Sequence, residues 1–147
     1  MRGIKAERPP LIKYGEYATI RRIMNIGEIK HALKGAEKNA QVFFDFTNCV
    51  PTTVHSWRGI YAEPAIGWRS TESMRAGDSV PTVESFLREL NIAIEPDREY
   101  AGWKGGSFSY DDNSPLHVDN PGMYTCTEIV RIAVNEYRVT LITEIVE

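Results

Sequence analysis

Residues 55–61 read HSWRGIY and place an imidazole, a hydroxyl, an indole, a guanidinium and a phenol within seven positions. The planar fork of Arg58 suits phosphate or carboxylate, and an aromatic ring such as that of Trp57 stacks on a base. The stretch therefore predicts a nucleotide-sized ligand. The structural alternative puts Trp57 in the core and pairs Arg58 with Asp45 or Glu63. The candidate ligand-binding residues here are Ser56, Trp57, Arg58 and Tyr61.

A second cluster, residues 102–112, reads GWKGGSFSYDD. Its glycines let a ligand approach the backbone, and Lys104 supplies positive charge for a phosphate beside the stacking ring of Trp103. The four-residue spacing that a P-loop requires between its first glycine and Gly-Lys is not met. A glycine-rich turn between two strands is the structural alternative.

Residues 110–120, YDDNSPLHVDN, carry a third set of polar side chains. Carboxylates and amides read ribose hydroxyls or base edges, and a phenol stacks on a base. The same residue types are also common in turns. The candidate ligand-binding residues are Tyr110, Asp111, Asp112, His117 and Asn120.

Neither a metal site nor a catalytic residue is predicted. The carboxylates of residues 110–120 miss the calcium-loop pattern, which needs a glycine at position six and a distal glutamate. His55 and Ser56 are adjacent on an extended chain, so they point to opposite faces and are not a catalytic pair. The Gly-x-Ser-x-Gly elbow is absent. We therefore expect a binding protein without a cofactor.

Two helices should support these clusters. Asn25 and Glu28 have the spacing of a capping box, and the apolar spacing after them predicts a helix over residues 26–38. Thr82 is expected to cap a second helix that ends near Asn91. Its apolar stripe consists of Val83, Phe86, Leu87 and Leu90.

Strand patterns occupy much of the rest. Residues 41–47 alternate, with Asp45 either solvated or an anchor for Arg58. Pro51 is expected to break the chain before a second extended stretch over residues 55–68, in which Pro64 implies an edge or a bulge. Residues 11–24 suit a strand or a helix. The last 22 residues predict a hairpin around Asn135 and Glu136.

The sum of these elements predicts an α+β fold, with two helices packed on one face of a mostly antiparallel β-sheet of about six strands. The patterns favour hairpins over βαβ units. A length of 147 residues favours a single domain over residues 1–147, with residues 1–10 as a flexible arm.

Charge and composition exclude some classes of protein. A net charge of -3 argues against a protein that binds duplex nucleic acid through a basic face. Two cysteines 77 residues apart form neither a zinc cluster nor a disulfide framework, so we expect Cys49 and Cys126 to be reduced and buried. Without an apolar leader or membrane span in the sequence, we expect a soluble protein of the cytoplasm that does not bind membranes.

The chain resembles a family of small accessory proteins of tailed bacteriophages. The matching positions run from about Val42 to Ile132, and the most specific are VP...HSWRG.Y, residues 50–61, and G.KGG, residues 102–106. Small phage proteins of this kind often counter host defence. The resemblance implies a source and not a mechanism.

One class of such phage proteins acts as a sponge for immune signalling nucleotides. These proteins sequester cyclic ADP-ribose isomers (anti-Thoeris) or cyclic oligonucleotides (anti-CBASS) as compact α+β homo-oligomers, with arginine, lysine and aromatic groups in their pockets. By analogy of sites, we expect a sponge here. The alternatives are a protein-directed inhibitor that docks on a host defence enzyme by an acidic face, and a phosphodiesterase-like enzyme that uses Asp111, Asp112 and His117.

Overall fold

The fold was analysed in a computed structural model of the chain. It describes residues 11–14, 17–20, 23–46, 48–56, 63–101, 106–119 and 126–146. Within these residues the chain forms two α-helices and a six-stranded sheet, so the predicted α+β class is confirmed.

The main sheet is mixed but mostly antiparallel, with strand order β3-β10-β9-β8-β5-β4. Three of its five pairings are antiparallel, whereas β3 with β10 and β5 with β8 are parallel. The hairpin patterns in the sequence did not predict the two parallel pairings. The strands are β3 (Gln41–Phe44), β4 (Cys49–Ser56), β5 (Pro64–Ser70), β8 (His117–Val118), β9 (Cys126–Val134) and β10 (Arg138–Val146).

The sheet is strongly curled. Its two edge strands follow each other in the chain, and only residues 45–48 separate β3 from β4. Five residue steps span at most about 18 Å, whereas the edges of a flat six-stranded sheet would lie about 24 Å apart. The short connection therefore forces the edges towards each other. Asn48 takes a left-handed conformation in this turn, with φ 50°.

The predicted hairpin around Asn135 is confirmed. Asn135 Oδ1 accepts hydrogen bonds from the backbone N–H groups of Tyr137 and Arg138, at 3.0 and 2.8 Å. These two bonds close the turn between β9 and β10. The register shifts by one residue between Ile142 and Thr143. This bulge keeps both Ile129 and Ile132 on the buried face, although they are three residues apart.

The stretch predicted as one extended segment over residues 55–68 is in fact two antiparallel strands, because β4 ends at Ser56 and β5 begins at Pro64. Pro64 occupies the first position of its strand, where a missing N–H is tolerated. The predicted break at Pro51 is wrong, since this proline lies inside β4. It is accommodated because β4 is an edge strand with a register shift at that point.

Helix α1 (Ile26–Leu33) begins at the predicted capping box. Asn25 Oδ1 accepts from the Glu28 N–H at 2.7 Å, and Glu28 Oε1 accepts from the Asn25 N–H at 2.8 Å. The helix ends five residues before the predicted end, since Gly35 follows its last turn and lowers helix propensity.

Helix α2 (Val83–Ala93) is capped by Thr82, whose Oγ1 accepts from the Ser85 N–H at 3.2 Å. It runs two residues beyond the predicted end near Asn91. The start of the helix and the residue before its cap also bond to the segment around β3. The Val42 N–H donates to Pro81 O at 2.9 Å, and the Val83 N–H donates to Ala40 O at 2.9 Å. These bonds cover the free edge of β3.

One buried cluster joins both helices to one face of the sheet, which we call the helix face. It includes Ile29 and Phe86 from the helices and Ile66, Ile129 and Leu141 from the strands. Cys49 is a buried thiol as predicted, and burial raises the pKa of that thiol. The side chain of Cys126 lies outside the described residues.

Two small hairpins complete the described elements. Strands β1 (Leu11–Tyr14) and β2 (Tyr17–Ile20) pair antiparallel, which settles the ambiguity of residues 11–20 in favour of strands. Strands β6 (Tyr100–Ala101) and β7 (Ser107–Phe108) also pair antiparallel. The arm predicted at residues 1–10 falls outside the described part. Of the helices in the described ranges, none has the length and apolarity needed to cross a membrane.

Candidate functional site

A row of five side chains crosses the sheet on the face opposite the helices, which we call the second face. The register pairs these residues strand by strand from β4 through β5, β8 and β9 to β10. Directly paired residues project to the same side of a sheet, so their side chains form one line. We call it the histidine–carboxylate row: His55, Ala65, His117, Glu128 and Glu144.

The row joins two of the clusters found in the sequence. His55 belongs to the stretch 55–61, and His117 to the stretch 110–120. The neighbouring Asp119 contacts the first stretch directly, because its Oδ2 lies 3.7 Å from His55 Nε2. Two segments more than 60 residues apart therefore meet on the second face.

His117 is the most enclosed titratable member of the row, with 7% of its surface exposed. Its Nε2 lies 2.5 Å from Glu63 Oε1, within hydrogen-bond distance. The next residue in the row, Glu128, faces His117 on one side and Glu144 on the other. Burial raises the pKa of Glu128, and the charges of Glu144 and Glu63 raise it further, while His117 opposes them.

We expect Glu128→Gln to stabilise the protein at neutral pH. A carboxyl whose folded-state pKa lies above its ordinary value of 4.5 destabilises the fold as pH rises from that value towards the raised one. The amide carries no charge, so the variant should unfold at a higher temperature than the wild type at pH 7. The difference in unfolding temperature between the variant and the wild type should shrink as pH falls below 4.5, where both proteins are uncharged at this position.

Thermal unfolding of both proteins between pH 3 and pH 8 measures this effect. Glu136→Gln, in the exposed turn of the β9–β10 hairpin, is the matched control and should leave the pH profile unchanged. An equal gain at pH 3 and pH 7 would contradict the electrostatic explanation.

Tyr110, a candidate ligand-binding residue, is only 5% exposed. Its ring packs on Tyr100 with ring centroids 4.6 Å apart. Burial, the neighbouring Tyr100 and the charge of Glu63 raise the pKa of Tyr110 to about 12. The Tyr110 hydroxyl is buried and makes no hydrogen bond to the described residues, whereas the Tyr100 hydroxyl donates to Ala93 O at 3.1 Å.

The two tyrosines should respond oppositely to loss of the hydroxyl. A buried polar group without a partner costs about 1–3 kcal/mol, so Tyr110→Phe should raise the free energy of unfolding by about 1 kcal/mol. Tyr100→Phe removes a made hydrogen bond and should lower the free energy of unfolding by about 1 kcal/mol. Urea denaturation of both variants measures the effect, and a loss in both would overturn this assignment of Tyr110.

Asp111 and Asp112 occupy a turn that docks on the start of α1. Asp112 Oδ1 forms an ion pair with Lys30 Nζ at 2.9 Å, and Asp112 O accepts from the Gly27 N–H at 2.8 Å. Asp111 Oδ1 accepts from the Asn113 N–H at 2.8 Å. Both aspartates are exposed, but their described contacts hold the turn and the helix rather than joining the row.

The remaining candidate residues are Ser56 at the end of β4 and six residues outside the described ranges. The backbone of Ser56 ends β4 and pairs with Pro64. Six predicted site residues lie outside the described residues: Trp57, Arg58, Tyr61, Trp103, Lys104 and Asn120. They flank the row in sequence, since residues 57–62 follow Ser56 and Asn120 follows Asp119.

Asp45 has a specific partner that the sequence did not suggest. Its Oδ1 accepts from Thr143 Oγ1 at 2.7 Å, and its Oδ2 accepts from the Thr143 N–H at 3.0 Å. The carboxylate is thus exposed but held in one orientation by β10. The suggested pairing with Arg58 involves a residue outside the described ranges.

A cleft with a volume of about 450 Å³ opens at the end of the helix face, where sequence reasoning placed no site. Trp68 forms one wall, and 45% of its surface is exposed. The signal available in the sequence was the alternation that puts Trp68 beside Ile66, but a pattern cannot show that the helices leave this part of the face uncovered. We call it the Trp68 cleft, lined by Asp45, Phe46, Trp68, Val118, Asp119, Thr127, Thr143 and Ile145.

Across the described part of the chain, no three His, Cys, Asp or Glu side chains converge in a way that could hold a metal ion. The site is therefore characterised by histidine–carboxylate contacts on one face and an aromatic, acidic cleft on the other. Comparisons of the chain with protein-family models, with curated proteins and with solved structures found no match in any of the three.

Proposed function

We propose that the protein binds and sequesters a phosphate-bearing nucleotide signal. The observation that supports this most directly is the contact between His55 and Asp119, 3.7 Å between Nε2 and Oδ2. It joins the stretch that holds Arg58 and three aromatic or hydroxyl neighbours to the stretch that ends in Asn120. A ligand near this junction can therefore meet both groups of side chains.

The proposed roles follow from the chemistry of each side chain. Arg58 and Lys104 pair with phosphates, because both are permanent or near-permanent cations. The aromatic rings of Trp57, Tyr61 and Trp103 stack on bases. The ring of Tyr110 is already packed on Tyr100, so it is not assigned to stacking on a base.

The acceptors at the junction suit the sugar and the base. Asp119 and Glu63 present carboxylate oxygens, which accept hydrogen bonds from ribose hydroxyls or from base amino groups. Asn120 follows Asp119 and offers both a donor and an acceptor. These groups read the uncharged parts of a nucleotide, while the cations hold its phosphates.

Within this proposal the ligand is an immune signal of the host cytosol, either a cyclic ADP-ribose isomer or a cyclic oligonucleotide. The protein acts as a phage anti-defence sponge and assembles as a homo-oligomer. Sequestration is favoured over cleavage because Asp112 is paired with Lys30, and His117 is enclosed beside Glu63. An enzyme that used these residues would first have to break contacts that hold the fold.

A protein-directed inhibitor is the second candidate. The Trp68 cleft favours it, because tryptophan is enriched among the residues that dominate protein interfaces. The two candidates differ in their ligand and can be separated by one measurement.

The test is a panel of cyclic oligonucleotides and cyclic ADP-ribose isomers. Purified protein is incubated with each compound, and the shift in melting temperature is measured. The mixture is then heated, and the released ligand is assayed by chromatography. Stabilisation with intact ligand supports a sponge, altered ligand indicates a phosphodiesterase, and no shift with any compound rejects the proposal in favour of the protein-directed inhibitor.

For a compound that binds, Arg58→Ala should abolish the thermal shift at ligand concentrations that saturate the wild type. Loss of a charge-assisted bidentate contact to phosphate weakens binding by at least about tenfold. The melting temperature of the unliganded variant should stay close to that of the wild type. Arg75→Ala, in the exposed loop before α2, is the matched control and should bind normally. Normal binding by Arg58→Ala would remove the role assigned to this residue.

A further inference from the structure

The Trp68 cleft carries an inference that is independent of nucleotide binding. We propose that it is a docking slot for an arginine side chain of a partner protein. The cleft lies on the helix face, whereas the histidine–carboxylate row lies on the second face. Asp119 joins the two, because its backbone O binds the Trp68 indole and its Oδ2 faces His55, so the test of the cleft rests on Trp68 and Asp45.

The aromatic wall of the slot is fixed before any ligand arrives. The Trp68 Nε1–H donates to Asp119 O at 2.9 Å, which sets the orientation of the indole. Phe46 meets the Trp68 ring edge to face, with centroids 5.8 Å apart, and itself stacks on the buried Phe44 at 4.9 Å. A rigid, partly exposed indole loses little conformational entropy when a ligand binds to it.

The acidic group of the slot, the Asp45 carboxylate, is also oriented. Thr143 holds both oxygens of this carboxylate, but each oxygen accepts only one of these bonds. A carboxylate has about four acceptor positions, so about two remain for a ligand. Asp119 also lines the slot, where its backbone O binds Trp68 while its carboxylate faces His55.

Charge decides which ligand fits. The described lining contains the Asp45 carboxylate and neither lysine nor arginine, so a phosphate group would be repelled and a cation attracted. An indole face attracts cations, and the planar guanidinium both stacks on it and bonds a carboxylate bidentately. An ammonium group does only part of this, which favours arginine over lysine.

The apolar side of the cleft suits the rest of an arginine side chain. Ile145 is 67% exposed and lies on the lining beside Val118. The methylene stem of an arginine can cover this surface while its guanidinium reaches the Asp45 carboxylate. The slot thereby gives a binding role to both exposed apolar side chains of the cleft, Trp68 and Ile145.

The experiment titrates the full ¹⁵N-labelled protein with the peptide acetyl-Gly-Arg-Gly-amide and records the indole N–H signals by NMR. The chain has three tryptophans, and Trp68→Phe identifies the signal of Trp68 by its loss. The matched probe replaces arginine by citrulline, which has nearly the same shape and no charge. We expect the Trp68 signal to move at millimolar arginine peptide and to move much less with citrulline.

One variant locates the charge requirement. Asp45→Asn should weaken binding of the arginine peptide by about tenfold. Asp97→Asn, an exposed carboxylate in the turn after α2, is the control and should leave binding unchanged. The dispersion of the other indole and amide signals shows whether each variant is folded.

Three results would overturn the proposal: no movement of the Trp68 signal with the arginine peptide, equal movement with the citrulline peptide, or normal binding by Asp45→Asn. Movement of the Trp68 signal with adenosine or guanosine monophosphate, and not with the arginine peptide, would instead make the cleft a nucleobase site. Loss of nucleotide binding in the panel described above leaves this proposal unaffected.

Discussion

Phe86→Ala is expected to lower the free energy of unfolding by about 3–5 kcal/mol. Phe86 lies on the buried stripe of α2, and only 1% of its surface is exposed. Its ring is part of the single cluster that joins both helices to the helix face of the sheet. Truncation removes the transfer free energy of the ring and leaves a cavity that the rigid sheet cannot fill. Since domains of this size have a total stability of about 5–15 kcal/mol, the variant should be close to unfolding.

Urea denaturation at 25 °C measures this loss, with the slope of the transition used to check that it remains two-state. Glu84→Ala, an exposed position in the first turn of the same helix, should change the free energy of unfolding by less than about 0.5 kcal/mol. Phe86→Leu keeps much of the volume and should lose clearly less than the alanine variant. A loss below about 1 kcal/mol for Phe86→Ala would mean that α2 does not pack on the sheet as described.

Features set by neighbouring residues could be predicted from the sequence. The capping box at Asn25 and Glu28, the cap at Thr82 and the turn at Asn135 all depend on contacts within four residues. Each satisfies backbone groups that would otherwise lack partners at the end of an element. The helices and the terminal hairpin were therefore predictable, and with them the α+β class.

Features set by contacts between distant residues could not be predicted in this way. Thr143 binds Asp45 across 98 positions, and Lys30 binds Asp112 across 82. The parallel pairing of β5 with β8 likewise depends on a crossover that contains α2. Hydrophobic periodicity predicts which face of a strand is buried, but it does not predict which other strand pairs with that strand.

The candidate site shows the same division. The residue types of the stretches 55–61 and 110–120 indicated chemistry, but only the sheet order shows that His55 and His117 lie in one row. The Trp68 cleft depends on where the helices stop covering the sheet, which is a property of the packed fold. Glu63 entered the sequence prediction only as an alternative partner of Arg58, and its partner in the structure is His117.

Gly67→Ala is expected to destabilise the protein by about 1–3 kcal/mol, although alanine is ordinarily better than glycine in a strand. Gly67 is buried in β5, and a Cβ at this position would lie 2.5 Å from Thr52 Oγ1. Threonine is branched at Cβ and stiff, so it cannot swing away as a long side chain would. Thr52 also lies where the register of β4 and β5 shifts. The strand backbone would therefore have to move to relieve the contact between the new Cβ and Thr52 Oγ1.

The clash can be tested by removing its other partner. Thr52→Ala eliminates the hydroxyl, so the double variant Gly67→Ala, Thr52→Ala should recover most of the lost free energy of unfolding, and the coupling between the two sites should be about 1–2 kcal/mol. Gly106→Ala is the matched control, because a Cβ there meets nothing within 4 Å. It should be neutral or slightly stabilising, since alanine has the less flexible unfolded state. If Gly67→Ala behaved like Gly106→Ala, the Thr52 hydroxyl would not lie against Gly67 as described.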